Sequence, residues 1–90
     1  MREFDIEEKL KKILSKIEKK DRVLYEAVMK KMEEILTCND VNHYKNLRTP
    51  MQEFKRVHIK SSFVLIFRYH VENNKVIFFN LDHHDSIYFK

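Results

Sequence analysis

Not one of the 90 residues is glycine. Glycine carries a chain through positive φ at no steric cost, so the reversals here fall to Asn, Asp and Ser. A glycine-rich phosphate cradle is also impossible, which excludes the P-loop and the dinucleotide-binding fingerprint. The clusters of polar turn-formers therefore mark where the chain bends. They are Asp21, the stretch from Asn39 to Pro50 with Asp40, Asn42 and Asn46, the run Glu72-Asn73-Asn74-Lys75, and Asp82 to Asp85.

Between these marks the apolar residues change period. Residues 4–20 place Phe4, Ile6, Leu10, Ile13, Leu14 and Ile17 at helical spacing. Asp5 followed by Glu8 reads as a capping-box start. Residues 22–36 repeat the pattern with Leu24, Val28, Met32, Ile35 and Leu36, and Asp21 is placed to cap them. So short a link predicts an antiparallel helical hairpin. Its charges read most simply as a solvated outer face.

Beyond Pro50 the period falls to two. Strands are expected at 54–60, 63–71 and 76–81, with Glu72-Asn73-Asn74-Lys75 as a hairpin turn. The run 63–71 is apolar on both faces, which suits a central strand, and Ser86-Ile87-Tyr88-Phe89 adds a short edge strand. The expected fold is a single α+β domain over 1–90, an N-terminal antiparallel helical hairpin packed on a small antiparallel sheet of three to four strands.

No run of 18 apolar residues exists to span a membrane, and the charged N-terminus resembles no signal peptide. The single Cys38 forms no internal disulfide, which favours a reducing, cytoplasmic setting. The net charge of +4, with a pI near 9.2, suits a nucleic acid or an acidic protein. Four of the five histidines lie in residues 51–90, so the titratable groups concentrate there.

The stretch Phe54-Lys55-Arg56-Val57-His58-Ile59-Lys60 carries the chemistry. As a strand it points Val57 and Ile59 one way and Arg56, His58 and Lys60 the other. An imidazole moves protons near neutral pH, and flanking cations hold a phosphodiester and stabilise its transition state. The plain alternative is a solvated face on a basic protein. Asp82-His83-His84-Asp85 has the residue types of a metal site, yet four consecutive residues do not converge readily on one ion. No cofactor is called for.

The phrase Phe54-Lys55-Arg56-Val57-His58-Ile59-Lys60-Ser61-Ser62-Phe63-Val64-Leu65-Ile66-Phe67, with the later Asp82-His83-His84-Asp85-Ser86-Ile87-Tyr88, resembles the RelE/ParE toxin superfamily. Within it the pattern is most similar to the YafQ-like branch of RelE-type mRNA interferases. The resemblance covers residues 45–88, the helical hairpin matching in type only. It implies a metal-independent, ribosome-dependent mRNA endoribonuclease in which a 2′-hydroxyl attacks the adjacent phosphate. His58 and His84 then form the acid–base pair, the two roles being unassigned, with His83 a competitor for the place of His84. Arg56, Lys45, Lys60 and Arg68 would grip phosphate, while Tyr88 and Phe63 would stack on bases.

Two positions depart from the branch pattern: Lys45 stands where a loop histidine is usual, and Ser62 where an acid is usual. The superfamily also opens with a β-strand, for which Met1-Arg2-Glu3 leaves almost no room. The sheet is therefore expected to lack that strand or to borrow one. The resemblance further implies a cognate RelB-type antitoxin, with Met51, Phe54, Ile87 and Phe89 as an apolar docking patch. Two alternatives stay open: a ParE-like toxin that binds a protein target such as gyrase, and a degenerate toxin kept as an antitoxin partner or co-repressor.

Overall fold

The structure is a computed structural model and describes residues 1–47 and 53–83. In chain order it runs β1 (Glu3–Ile6), α1 (Glu8–Lys20), α2 (Arg22–Thr37), a short 3-10 turn (Val41–His43), β2 (Lys55–Ile59), β3 (Phe63–His70) and β4 (Lys75–His83). The strand order across the sheet is β1-β4-β3-β2. Strands β2, β3 and β4 pair antiparallel, whereas β1 lies parallel to β4.

The expected α+β arrangement is present, but the sheet is mixed rather than wholly antiparallel. The opening strand was not expected. Phe4 and Ile6 fit a period of two as well as they fit a helix, and the pairing with β4 decides between them. Asp5 faces Ile77 across that pairing and its carboxylate meets Lys75 at 2.7 Å, so Asp5 serves the sheet and caps no helix. Helix α1 therefore begins at Glu8 rather than at residue 4, without a side-chain cap.

A second tie fixes β1 from its other end. The Arg2 amide donates to the Leu36 carbonyl at 3.1 Å. Its guanidinium donates to the carbonyls of Ile35, Leu36, Cys38 and Asn39 and to Asn74 Oδ1. The Ile35 and Leu36 carbonyls belong to the last turn of α2, which leaves them without helical partners, and those of Cys38 and Asn39 follow just beyond it. A cation there also suits the negative end of the helix dipole. Arg2 thus joins β1, α2 and the β3–β4 hairpin.

Asp21 alone links the helices. Its amide donates to the Ile17 carbonyl at 2.8 Å, closing α1, and its Oδ1 accepts from the Leu24 amide at 3.2 Å, capping α2. The two helices cover one sheet face, where Leu10, Val28, Ile35, Leu65, Phe67, Val76 and Phe78 are fully buried. Strand β3 is central as expected, with Val64 through Phe67 buried on both faces.

Without glycine, two of the described residues take positive φ: Asn74 at 50° in the β3–β4 hairpin and Lys60 at 56°. Asn tolerates this region well. Lys60 does not extend β2; it opens the turn to Phe63, and so leaves the alternation expected of it. The expected strand 86–89 lies outside the described residues.

Candidate active site on the outer sheet face

Pairing register decides which side chains share the face turned away from the helices. Arg56 stands opposite Ile66, and Ile66 opposite Asn80; His58 stands opposite Val64, and Val64 opposite Asp82. These are rows of side chains crossing the sheet, with neighbouring strands about 4.8 Å apart. His58 and Asp82 therefore flank Val64 at a backbone separation of about 10 Å. Lys60 has left this face through its turn.

The sheet continues past β2 by a short bridged segment. Asn46 pairs antiparallel with Lys55, the Arg56 amide donates to the Lys45 carbonyl at 2.9 Å, and the Leu47 amide donates to the Phe54 carbonyl at 2.9 Å. This register sets Lys45 beside Arg56 on the outer face. Lys55 anchors the segment from the helix side, its Nζ donating to Asn46 Oδ1 at 2.9 Å and to the Tyr44 carbonyl at 3.2 Å. Burial pushes the Lys55 ammonium below its ordinary pKa, and the nearby Asp40 charge pulls it partly back.

Next to the charged rows lies an apolar cluster of Leu47, Phe54, Val64 and Ile66, with Phe79 packed against it. The Phe54 and Phe79 rings sit 4.8 Å apart, and Arg68 holds its guanidinium 5.4 Å above Phe54. The outer face is thus half apolar, rather than the polar surface that the alternation alone suggests. A β-bulge helps to make it so. Pairing passes from Ile66–Asn80 to Phe67–Phe78, which leaves Phe79 as the extra residue, and Phe79 and Asn80 serve this face in succession. Asn80 is 9% exposed, and its buried Oδ1 has no hydrogen-bond partner among the described residues.

Of the residues singled out from sequence, Lys45, Arg56, His58 and Arg68 share this face, Lys45 beside Arg56 and Arg68 over Phe54 further along it. Phe63 does not join them. It shares the helix-side alternation of Leu65 and Phe67, packs against the main core, and meets His83 edge-to-face at 5.7 Å. His84 and Tyr88, like Met51, Ile87 and Phe89 of the expected docking patch, lie outside the described residues. Sequence reading missed Asn80 and took Asp82 for a strand-breaker; β4 instead runs on to His83. Alternation along β4 could have flagged them only if the bulge were known. Among the described residues, no group of three or more His, Cys, Asp or Glu is placed to hold a metal ion.

No protein-family profile matches the chain. A Methanocaldococcus jannaschii protein bearing the toxin name RelE4 is 51% identical over 90 residues, covering all of this chain and 94% of that one. Among solved structures, a metal-bound toxin of Helicobacter pylori superposes with a TM-score of 0.77 at 20% identity, covering 98% of this chain and 100% of that one. The Escherichia coli RelBE toxin–antitoxin complex superposes with a TM-score of 0.70 at 20% identity, covering 90% of this chain and 94% of the chain it matches. With half of its residues shared with RelE4 along its whole length, and with two helices on a four-stranded sheet matching RelE, the chain belongs to the RelE toxin family.

Proposed function

We propose that this toxin is a ribosome-dependent mRNA endoribonuclease acting through its outer sheet face in the cytoplasm. The observation that supports this reading is the register that sets Arg56 and His58 on one face with Lys45 beside Arg56, Arg68 lying further along the same face over Phe54. Cleavage by an internal 2′-hydroxyl needs a base for that hydroxyl, an acid for the departing 5′-oxygen and cations for the charge that builds on phosphorus. His58 supplies one proton-transfer group and His84 the other. Arg56 offers a forked, bidentate grip on the phosphate, and Lys45 a point charge beside it. Lys60 meets the message further along its backbone, and Tyr88 stacks on a base splayed from it. So small a catalytic set gains from a ribosome that holds the message in line for attack. The apolar half of the same face, Leu47, Phe54, Val64 and Ile66, suits a RelB-type antitoxin that covers the site.

The test is mapping of cleavage positions on cellular messages after brief induction. Wild type should cut translated messages. The double variant His58→Gln/His84→Gln should cut about 10²–10⁴-fold more slowly, the range for lost general acid–base catalysis, while still binding antitoxin. Growth arrest without message cleavage would sink this reading in favour of a toxin that binds a protein target.

A further inference from the structure

Among the described residues, Lys55 is the one charged side chain that the fold buries, at 9% exposed. It stands in β2 on the helix side of the sheet, opposite Phe67 and in alternation with Val57 and Ile59. Lysine is almost never buried there without partners, and the loss of water around its ammonium is what lowers its pKa. An apolar side chain of equal length would avoid that cost. Stability alone therefore gives no reason for a lysine at this place, and its acceptors supply another.

Those acceptors bracket Lys45. The Lys55 Nζ donates to the Tyr44 carbonyl at 3.2 Å and to Asn46 Oδ1 at 2.9 Å. Among the described residues, two backbone hydrogen bonds join this segment to β2, from the Leu47 amide to Phe54 and from the Arg56 amide to Lys45. So short a pairing specifies its register weakly, and a slip of one residue would turn Lys45 and Leu47 toward the helices. Tyr44 resists a slip by setting its ring edge-to-face on Phe67 at 5.6 Å, and Leu47 by joining the outer cluster. Apolar contacts of this kind are non-directional. The Lys55 bonds are directional, and they end on the residues either side of Lys45. They therefore fix where along β2 the Lys45 side chain leaves the sheet.

We propose that Lys55 is a positioning residue of the candidate site, clasping Tyr44 and Asn46 from the helix side so that Lys45 is held beside Arg56 to meet an RNA phosphate. The inference rests on the reading of the outer face as an RNA site and adds the device that aligns two of its cations. Lys55 acts through Lys45, since its own ammonium lies on the helix side of the sheet.

The experiment uses the full chain and two readouts. The first is amide hydrogen exchange, followed by NMR, at Leu47 and Arg56, whose amides make the two bonds of the segment. In Lys55→Met both should exchange about tenfold faster or more, as the loss of bonds from a charged donor implies. The amides of β3 and β4 should stay as protected as in wild type. Asn46→Ala, at an exposed position, carries the same test without disturbing the core and should quicken the same two amides. Asn46→Asp keeps an acceptor and should leave them at the wild-type rate. The second readout is the binding of a 2′-O-methylated single-stranded RNA, which has no free 2′-hydroxyl to attack with, over a range of salt. Lys55→Met and Lys45→Gln should each flatten the plot of log affinity against log salt by about 0.7, the share of one phosphate on a single strand. The double variant should flatten it no further than Lys45→Gln alone, the non-additivity expected when one residue acts through another.

Wild-type exchange at Leu47 and Arg56 in Lys55→Met, or in Asn46→Ala, would overturn the proposal. So would additive losses in the double variant, or an equal loss of protection across β3 and β4, which would mark Lys55 as a merely structural residue. If the two amides quicken while Lys45→Gln leaves the slope at its wild-type value, the clasp stands and the reading of the face as an RNA site fails.

Discussion

Replacing Arg2 by alanine removes one side chain and unties three elements. Its guanidinium donates to Leu36, Ile35 and Asn39 carbonyls at 3.3, 3.4 and 3.2 Å and to Asn74 Oδ1 at 3.0 Å, and it also reaches the Cys38 carbonyl. It lies 5.8 Å over the Tyr69 ring as well. Hydrogen bonds from a charged donor contribute about 1.5–3 kcal/mol when well formed. Several here share one nitrogen and are long, so together they count as roughly one good bond. Interaction with the end of α2 adds about 0.3–1 kcal/mol. The expected loss is therefore about 2–4 kcal/mol, against about 5–13 kcal/mol for a domain of this length. In urea, where m is about 1–3 kcal/mol/M, the midpoint should fall by roughly 1–2 M with m unchanged. Arg2→Lys keeps the charge and loses the fork, so it should recover only the dipole share, about 0.3–1 kcal/mol. A loss below about 0.5 kcal/mol for Arg2→Ala, the scale of an ordinary surface change, would refute the reasoning. Full rescue by lysine would refute the part that rests on the fork.

Three further outcomes can be checked on the same apparatus. Asn80→Leu removes a buried oxygen with no partner among the described residues, an arrangement that costs about 1–3 kcal/mol, so the urea midpoint should hold or rise; a clear fall would mean that the oxygen has a partner. Asp5→Asn breaks the contact with Lys75, whose hydrogen bond and charge hold the Asp5 carboxyl below its ordinary 3.8 and raise the Lys75 ammonium above its ordinary 10.5. A depressed carboxyl pKa stabilises above the unfolded value and loses its effect as pH falls through the folded one. A raised ammonium pKa stabilises below its unfolded value and loses its effect as pH rises through the folded one. The gap between wild type and Asp5→Asn in denaturation midpoint should therefore be flat at mid-range pH and close below 3.8 and above 10.5; a gap that persists at low pH would count against the pair. Asp21→Ala strips the α2 cap and should cost about 1 kcal/mol, read as a lower melting temperature; an unchanged melt would show that the hydrogen bond to Leu24 contributes little.

What could be read in advance followed from local rules. Apolar spacing located both helices and their short link, because a helix must bury one stripe. The doubly apolar run at Val64–Phe67 announced a central strand, because only such a strand buries both faces. Arg56 and His58 share a face as their alternation requires. Local rules failed where two of them compete or where the partner is remote. Phe4 and Ile6 satisfy both periods, so β1 was invisible until Val76 and Phe78 lay beside it. Lys60 reads as strand, yet the chain must reverse before Phe63, and with no glycine available a lysine takes the positive φ.

By itself, the sequence determined the α+β class, the order of its main elements and the RelE resemblance, since each rests on period, turn chemistry and motif within a short window. Only the tertiary structure decided that the sheet is mixed, that Arg2 closes α2, that Phe63 faces the helices, and that Phe79 and Asn80 both serve the outer face. The physical reason is that strand register and a one-residue bulge arise from pairing between segments far apart in the chain. A shift of one residue in that pairing exchanges the two faces of a strand.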